Sequence, residues 1–130
     1  MKTSLTRHSG IFIKKSNIHG WGVFTNSKIL ENEIVEECII PDEKIPLNSD
    51  ILKRYYFIWP KTPNYNSYCL PLGFACTYNH STKPNVKWLI NEKEKLMIFI
   101  AIKDINKNEE LVHNYTLPYI NSSKEILNNN

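Results

Sequence analysis

Between Gly73 and Asn85 the chain reads Gly-Phe-Ala-Cys-Thr-Tyr-Asn-His-Ser-Thr-Lys-Pro-Asn. An apolar run ends at Tyr78, and Asn79, His80 and Ser81 then bring side-chain donors and acceptors together in consecutive positions. Asn and Ser favour turns because their side chains bond nearby backbone, and Pro84 fixes φ while withholding an amide donor. A polar cluster directly after a buried run is either a ligand grip or a plain loop between two elements. A second segment, Ser16-Asn17-Ile18-His19-Gly20-Trp21-Gly22-Val23-Phe24, flanks a tryptophan with glycines. Glycine there lets the backbone approach a ligand or a second strand closely. A third segment, Glu109-Glu110-Leu111-Val112-His113-Asn114-Tyr115, ends on a tyrosine, whose apolar ring and polar tip suit the wall of a binding site.

Metal chemistry is a weaker reading of the same residues. Cys38, Cys69 and Cys76 are odd in number and lack Cys-x-x-Cys spacing, which argues against a disulfide framework and a structural zinc. A set of Cys69, Cys76, His80 and His113 can be drawn, but its spacing is irregular, so the expectation is no metal and buried free thiols.

At 130 residues, with 42% apolar and 22% charged residues, the chain is sized and composed for one soluble domain with its own core. The formal charge of +3 is mildly basic, and Arg7 and Arg54 are the only arginines. Nucleic-acid binders cluster Arg and Lys on one face, and the pairs Lys14-Lys15 and Lys93/Lys95 are too sparse for that, so no specific nucleic-acid partner is expected. No apolar run approaches the ~20 residues that span a bilayer, and Met1-Lys2-Thr3-Ser4 leads into no signal-peptide core. The expectation is an intracellular protein without membrane attachment, cytoplasmic if bacterial and in the host cell if viral.

The elements that must position these groups are mostly strands. Ile11–Lys15, Val23–Thr25, Glu33–Ile40, Val86–Ile90, Leu96–Ala101 and Glu109–Tyr115 have strand composition, with Asn91–Lys95 as a hairpin connection. Asp50 to Trp59 is the helix candidate, capped near Asn48–Asp50 and stopped by Pro60, with an extended reading of Tyr55–Trp59 as the alternative. Residues 1–10 form a flexible N-terminus, and the segment from 117 to 130 is a short tail with a disordered end. Many short strands and little helix predict a β-rich fold.

The order and spacing of His19-Gly20-Trp21-Gly22-Val23-Phe24, Asn79-His80-Ser81 with Pro84-Asn85, and Glu109-Glu110-Leu111 with Tyr115 resemble the SET-domain family of S-adenosylmethionine-dependent lysine methyltransferases. The resemblance covers residues 11 to 116 and is closest in look to the minimal SET proteins of large algal viruses and some bacteria. It implies small, mostly antiparallel sheets with one short helix and a C-terminal pseudoknot that brings Tyr115 against the Asn79-His80 loop. It also implies that His19, Gly20, Trp21, Asn79, His80 and Tyr115 contact S-adenosylmethionine, with Tyr115 where the methyl group is passed. Tyr55 is the second catalytic candidate, and Trp88 and Tyr119 are candidates for the substrate channel. For Trp88 core packing is an equal reading, and for Tyr55 it is the stronger one. No post-SET cysteine segment is present, so the tail or a partner chain must close the channel, which leaves a homodimer open.

The chemistry this implies asks for few charged groups. An amine of pKa ~10.4 must lose its proton, at about 3 kcal/mol at pH 8. Burial beside a positive sulfonium lowers that pKa by desolvation and like charge, so no dedicated base is required. The implied function is methyl transfer to a lysine side-chain amine of a protein. One alternative is the same chemistry on a free small amine such as a polyamine; another is a non-catalytic peptide- or cofactor-binding module. A His-metal nuclease built on Asn79-His80 and His113-Asn114 ranks lower, for want of a carboxylate cluster. The acidic run Glu31, Glu33, Glu36, Glu37, Asp42 and Glu43 is either a solvated face or an attractor for a cationic substrate.

Overall fold

The computed structural model describes residues 3–41, 57–58 and 68–115. Strands β1 (Ile11–Lys15) and β2 (Trp21–Thr25) form an antiparallel hairpin in register from Ile11↔Thr25 to Lys15↔Trp21. Its connection is closed by Ser16, whose N–H donates to Gly20 O and whose hydroxyl accepts from the Ile18 and His19 amides. Gly20 takes φ +47 there, a conformation that disfavours any side chain.

Strand β3 (Ile34–Ile39) begins a second sheet. Among the described residues, strands β4 (Phe57–Ile58) and β5 (Tyr68–Cys69) pair only with each other, and β6 (Asn79–His80) follows a 3-10 turn at Ala75–Thr77. Strands β7 (Val86–Asn91) and β8 (Leu96–Ala101) form the hairpin predicted from composition, with register Asn91↔Leu96 at its tip and Lys95 in the left-handed region (φ 55). β8 lies between β3 and β7, and all six of its residues are buried. That is why Leu-Met-Ile-Phe-Ile-Ala is an unbroken apolar run rather than an alternating one. β9 (Glu110–His113) completes the other sheet, whose order is β1-β2-β9-β6.

β9 carries the topology that matters. It pairs antiparallel with β2 on one side (Val23↔Leu111) and parallel with β6 on the other (Asn79↔Val112, His80↔His113). Segments far apart in sequence therefore meet along one late strand, as the resemblance implied. Asn85, 5% exposed, secures this arrangement. Its side chain donates to Glu110 O and accepts from Val112 N–H, each at 2.8 Å, so it bonds the backbone on both sides of Leu111.

Two expectations change. The helix over 50–59 lies largely outside the described residues, but Phe57 and Ile58 are extended in β4, and among the described residues the 3-10 turn is the only helical element. The extended alternative holds at these two positions, and the buried Phe57 ring packs edge-on against Trp88 and Phe99. The acidic run is also not one surface: Glu36 and Glu37 are buried beside a bulge in β3. Both are held by the N-terminal segment, where Arg7 pairs with Glu36 and the Thr6 amide donates to Glu37. Asp42 and Glu43 lie outside the described residues. Within the 1–10 segment, the His8 amide donates to Val35 O and Thr6 O accepts from the Glu37 amide, because the edge of β3 offers unpaired backbone groups.

Candidate active site

Tyr115 lies two residues beyond the end of β9. Its backbone N–H donates to Nδ1 of His80 at 3.0 Å, and its hydroxyl donates to the carbonyl oxygen of Tyr78 at 2.6 Å. An imidazole accepting at Nδ1 carries its proton on Nε2 when neutral, so Tyr115 also sets the tautomer of His80. The residue is 55% exposed, yet its hydroxyl end turns inward. Burial raises the phenol pKa, and the proximity of Cys76 and Glu110 adds to the rise. The ring lies 5.0 Å from that of His80 and 4.6 Å from that of His113.

Tyr78 is fixed from below. Its ring stacks on Phe99 at 4.2 Å, and its hydroxyl donates to Glu36 at 2.9 Å. Burial pushes the Tyr78 phenol well above its ordinary pKa, and the Glu36 charge pushes it further. The Glu36 carboxylate also accepts from the Phe74 amide (2.9 Å) and from Arg7 Nη2 (3.0 Å), whose guanidinium lies over the Phe74 ring at 4.1 Å. A buried carboxylate is tolerable only when paired and hydrogen-bonded in this way.

Asn79 ties the three segments together. Its Nδ2 lies 3.0 Å from His19 O, 3.2 Å from Trp21 O and 2.8 Å from Glu110 Oε2. Glu110 Oε1 accepts from Ser16 Oγ at 2.7 Å. Gly22 is what makes the approach feasible: a Cβ there would overlap the Glu110 carboxylate and stand 3.1 Å from Asn79 Nδ2. At Gly20, by contrast, an added Cβ would meet nothing within 4 Å, and the neighbouring Trp21 is 55% exposed, with the Lys15 ammonium 4.5 Å from its ring centroid. That side of the loop is open.

His19, Gly20, Trp21, Asn79, His80 and Tyr115 thus share one end of the β1-β2-β9-β6 sheet. Trp88 does not border it directly. The indole is 4% exposed and meets Phe57 edge-on at 5.5 Å, and Phe57 in turn stacks on His113. Tyr55 and Tyr119 lie outside the described residues, as does the tail at 117–130. The Ser16–Glu110–Asn79 cluster and the Glu36–Tyr78 bond escape sequence reading because their partners are 94, 31 and 42 positions apart. The one local signal is the turn-forming Ser16 ahead of the glycines.

None of the three cysteines is in a disulfide, and burial pushes the Cys76 thiol up to about 11 and that of Cys69 up to about 12. Thiols held protonated in this way are poor nucleophiles and poor metal ligands. Among the described residues no group of His, Cys, Asp and Glu is placed to hold a metal, and no helix is long and apolar enough to cross a membrane.

A family model described as the SET domain matches residues 20–116. The chain is 28% identical to the H3 lysine-36 specific histone-lysine N-methyltransferase of Kluyveromyces lactis, over 85% of this chain and 17% of that protein. It is 27% identical to the H3 lysine-4 specific histone-lysine N-methyltransferase of Emericella nidulans, over 84% of this chain and 10% of that protein. The chain therefore spans a small part of these curated relatives. A crystal structure of a candidate histone methyltransferase from Plasmodium falciparum is similar at a TM-score of 0.63 and 35% identity, covering 84% of this chain and 99% of that one. With a family match over most of its length and a β9 that joins all three motifs, the chain belongs to the SET domain family.

Proposed function

We propose that this protein is an S-adenosylmethionine-dependent N-methyltransferase acting on a lysine side-chain amine of a protein. The observation that carries the reading is the seating of Tyr115 between His80 and the Tyr78 carbonyl, at the point where the glycine-flanked loop, β6 and β9 converge.

The residues present fit the cofactor. The Gly20 side of the loop is open, the exposed Trp21 offers apolar surface, and Asn79 and His80 place polar groups beside it. When bound, S-adenosylmethionine supplies an electrophilic methyl group on a sulfonium. His19, Gly20 and Trp21 would hold it through backbone, and Asn79 through its amide, whose Nδ2 already fixes the facing loop.

An unprotonated amine nitrogen would take the methyl group in line while sulfur keeps the carbon–sulfur electron pair, and the proton released by the methylated ammonium would pass to water. Tyr115 borders this path with its ring and with an oxygen whose own hydrogen is committed to Tyr78. That oxygen therefore faces the site as an acceptor, suited to weak CH···O contacts that steer a methyl group. Catalysis by positioning needs such groups held rigidly, and the Glu36–Tyr78 bond and the Tyr78–Phe99 stack hold this one. Trp88, through Phe57, stiffens the aromatic wall behind His113, and Tyr55 and Tyr119 remain the further wall candidates.

Labelled S-adenosylmethionine offered with histone peptides, ribosomal peptides and polyamines tests the reading. Label on a peptide lysine supports it, and label on polyamines alone shifts the substrate class to small amines. Absence of label in every acceptor, together with no cofactor binding by calorimetry, would sink it.

A further inference from the structure

The 3-10 turn at Ala75–Thr77 leads directly into Asn79 and His80, yet it has no side-chain cap of its own. A carboxylate from the other sheet stands in for one. Glu36, in β3, accepts from the Phe74 amide through Oε2 and from the Tyr78 hydroxyl through Oε1, each at 2.9 Å, so one side chain holds both ends of the turn. Gly73 brings the chain into that contact at φ +91, and a Cβ there would stand 2.5 Å from Glu36 Oε2. The Glu36 side chain is 1% exposed, and a carboxylate taken so far from water needs a counter-charge. Among the described residues Arg7 supplies it. Its Nε and Nη2 both donate to Oε2, at 3.2 and 3.0 Å, and the guanidinium lies over the Phe74 ring at 4.1 Å. The backbone is tied down as well: Arg7 and Glu36 form an antiparallel bridge, flanked by the bonds His8 N–H to Val35 O and Glu37 N–H to Thr6 O.

We infer that Arg7 is a positioning residue for methyl transfer: by holding Glu36 it fixes the Tyr78 carbonyl, and through that carbonyl the hydroxyl of Tyr115. The inference rests on the methyltransferase reading. The Tyr115 hydroxyl donates to Tyr78 O at 2.6 Å, and that oxygen sits at the end of the turn that Glu36 staples. Without the guanidinium the carboxylate is buried and unpaired, a far costlier state than a broken surface ion pair. It is relieved when the side chain swings toward water, which releases the Phe74 amide and the Tyr78 hydroxyl together. The carbonyl that aims Tyr115 then loses its fixed place, and a misplacement of about 1 Å, even one that begins far from the chemistry, costs up to about a hundredfold in rate. The His19–Trp21 backbone is held by a different set of bonds, from Asn79 with Glu110 behind it, so cofactor binding lies off this path. Lysine is not an equivalent at position 7. It keeps the charge but has neither the paired N–H groups nor the plane that covers Phe74.

A double-mutant cycle and an NMR measurement test this. Arg7→Met removes the charge and keeps the stem; Tyr78→Phe removes the bond to Glu36 and keeps the ring that stacks on Phe99. In Arg7→Met, kcat for a lysine peptide falls about tenfold, while KM and cofactor affinity by calorimetry stay within about twofold. Arg7→Lys regains part of the loss. Made on Tyr78→Phe, Arg7→Met lowers kcat no further, because the route it acts through is already cut. Wild-type kcat in Arg7→Met overturns the proposal, and so does an equal fall in both backgrounds, which would mean that Arg7 supports the fold without acting through Tyr78. In the second arm the ring resonances of Tyr115 are compared without any substrate. They move in Arg7→Met and do not move again when that change is added to Tyr78→Phe; unmoved resonances in Arg7→Met overturn the proposal even if turnover drops. Should Arg7→Met not fold, Arg7→Lys decides: shifted Tyr115 resonances with kcat down about threefold support the proposal, and wild-type values of both overturn it. Shifted resonances in a protein that transfers no methyl group to any acceptor support the link from Arg7 to Tyr115 and sink the methyltransferase reading instead.

Discussion

The hydroxyl of Tyr115 donates a 2.6 Å hydrogen bond to the backbone carbonyl of Tyr78. Because the Tyr78 hydroxyl in turn reaches the buried Glu36, the tip of the proposed active-site tyrosine is connected through two further residues to Arg7 near the N-terminus. Position at the site is thus set by bonds that cross from one sheet to the other.

Tyr115→Phe removes the oxygen and keeps the ring. We expect kcat to fall about tenfold or more, with cofactor affinity nearly unchanged. Single-turnover kinetics beside calorimetry checks this, and equal losses in both would deny Tyr115 a role in the transfer step.

Glu36→Gln replaces the charged acceptor for Arg7, Tyr78 and the Phe74 amide with a group that can accept at one atom only. Hydrogen bonds to charged groups contribute about 1.5–3 kcal/mol each, partly compensated here by the surviving oxygen, so a loss of about 2 kcal/mol is expected in urea unfolding. Turnover should fall with it under conditions where the variant is still folded, since Tyr78 loses its anchor.

Asn85→Ala leaves Glu110 O and Val112 N–H without their side-chain partner inside the fold. At about 1–3 kcal/mol for each unsatisfied buried group, the variant should lose roughly 2–6 kcal/mol. Hydrogen exchange should show the loss first at Val112; unchanged protection there would mean that β9 is held by other contacts.

Gly22→Ala forces the Glu110 carboxylate away from its bonds to Ser16 and Asn79. Overpacking of this kind costs about 1–3 kcal/mol, and cofactor affinity should drop about tenfold because the His19–Trp21 backbone loses its fixed spacing to Asn79. Calorimetry reads the second effect separately from the first.

Stability should depend on pH through His113. Its folded pKa of about 4 lies below the ordinary 6.5, so the unfolded chain binds the proton more readily. The contribution is whole above pH 6.5 and is lost as pH falls from there to 4, by roughly 3 kcal/mol at full extent. Urea unfolding across that range should show the slope in the wild type and lose it in His113→Phe, with His80→Gln as the control for the neighbouring imidazole.

The strands were legible because their signals are local. Ile11–Lys15, the β7–β8 hairpin and the apolar run of β8 follow from composition and turn residues within a few positions. The three motifs were legible for a similar reason: glycines flanking Trp21, polar residues after Tyr78 and a tyrosine at the end of a strand are short patterns whose order points to one family. What the sequence could not decide is partnership. Phe57 and Ile58 read as part of a helix, with an extended segment as the alternative, and their pairing with Tyr68–Cys69 decides for the strand. Glu36 and Glu37 read as part of an acidic run until the N-terminal segment covered them, and nothing local to Glu110 shows that it joins Ser16 to Asn79. His113 entered the sequence reading only through the metal and nuclease alternatives; the packing of Phe57, Tyr78, Phe99 and Tyr115 around it buries its nitrogens, which have no hydrogen-bond partner among the described residues. Composition sets which side chains can leave water, but burial and hydrogen-bond partners come from contacts between distant segments, and only the tertiary structure brings those segments together.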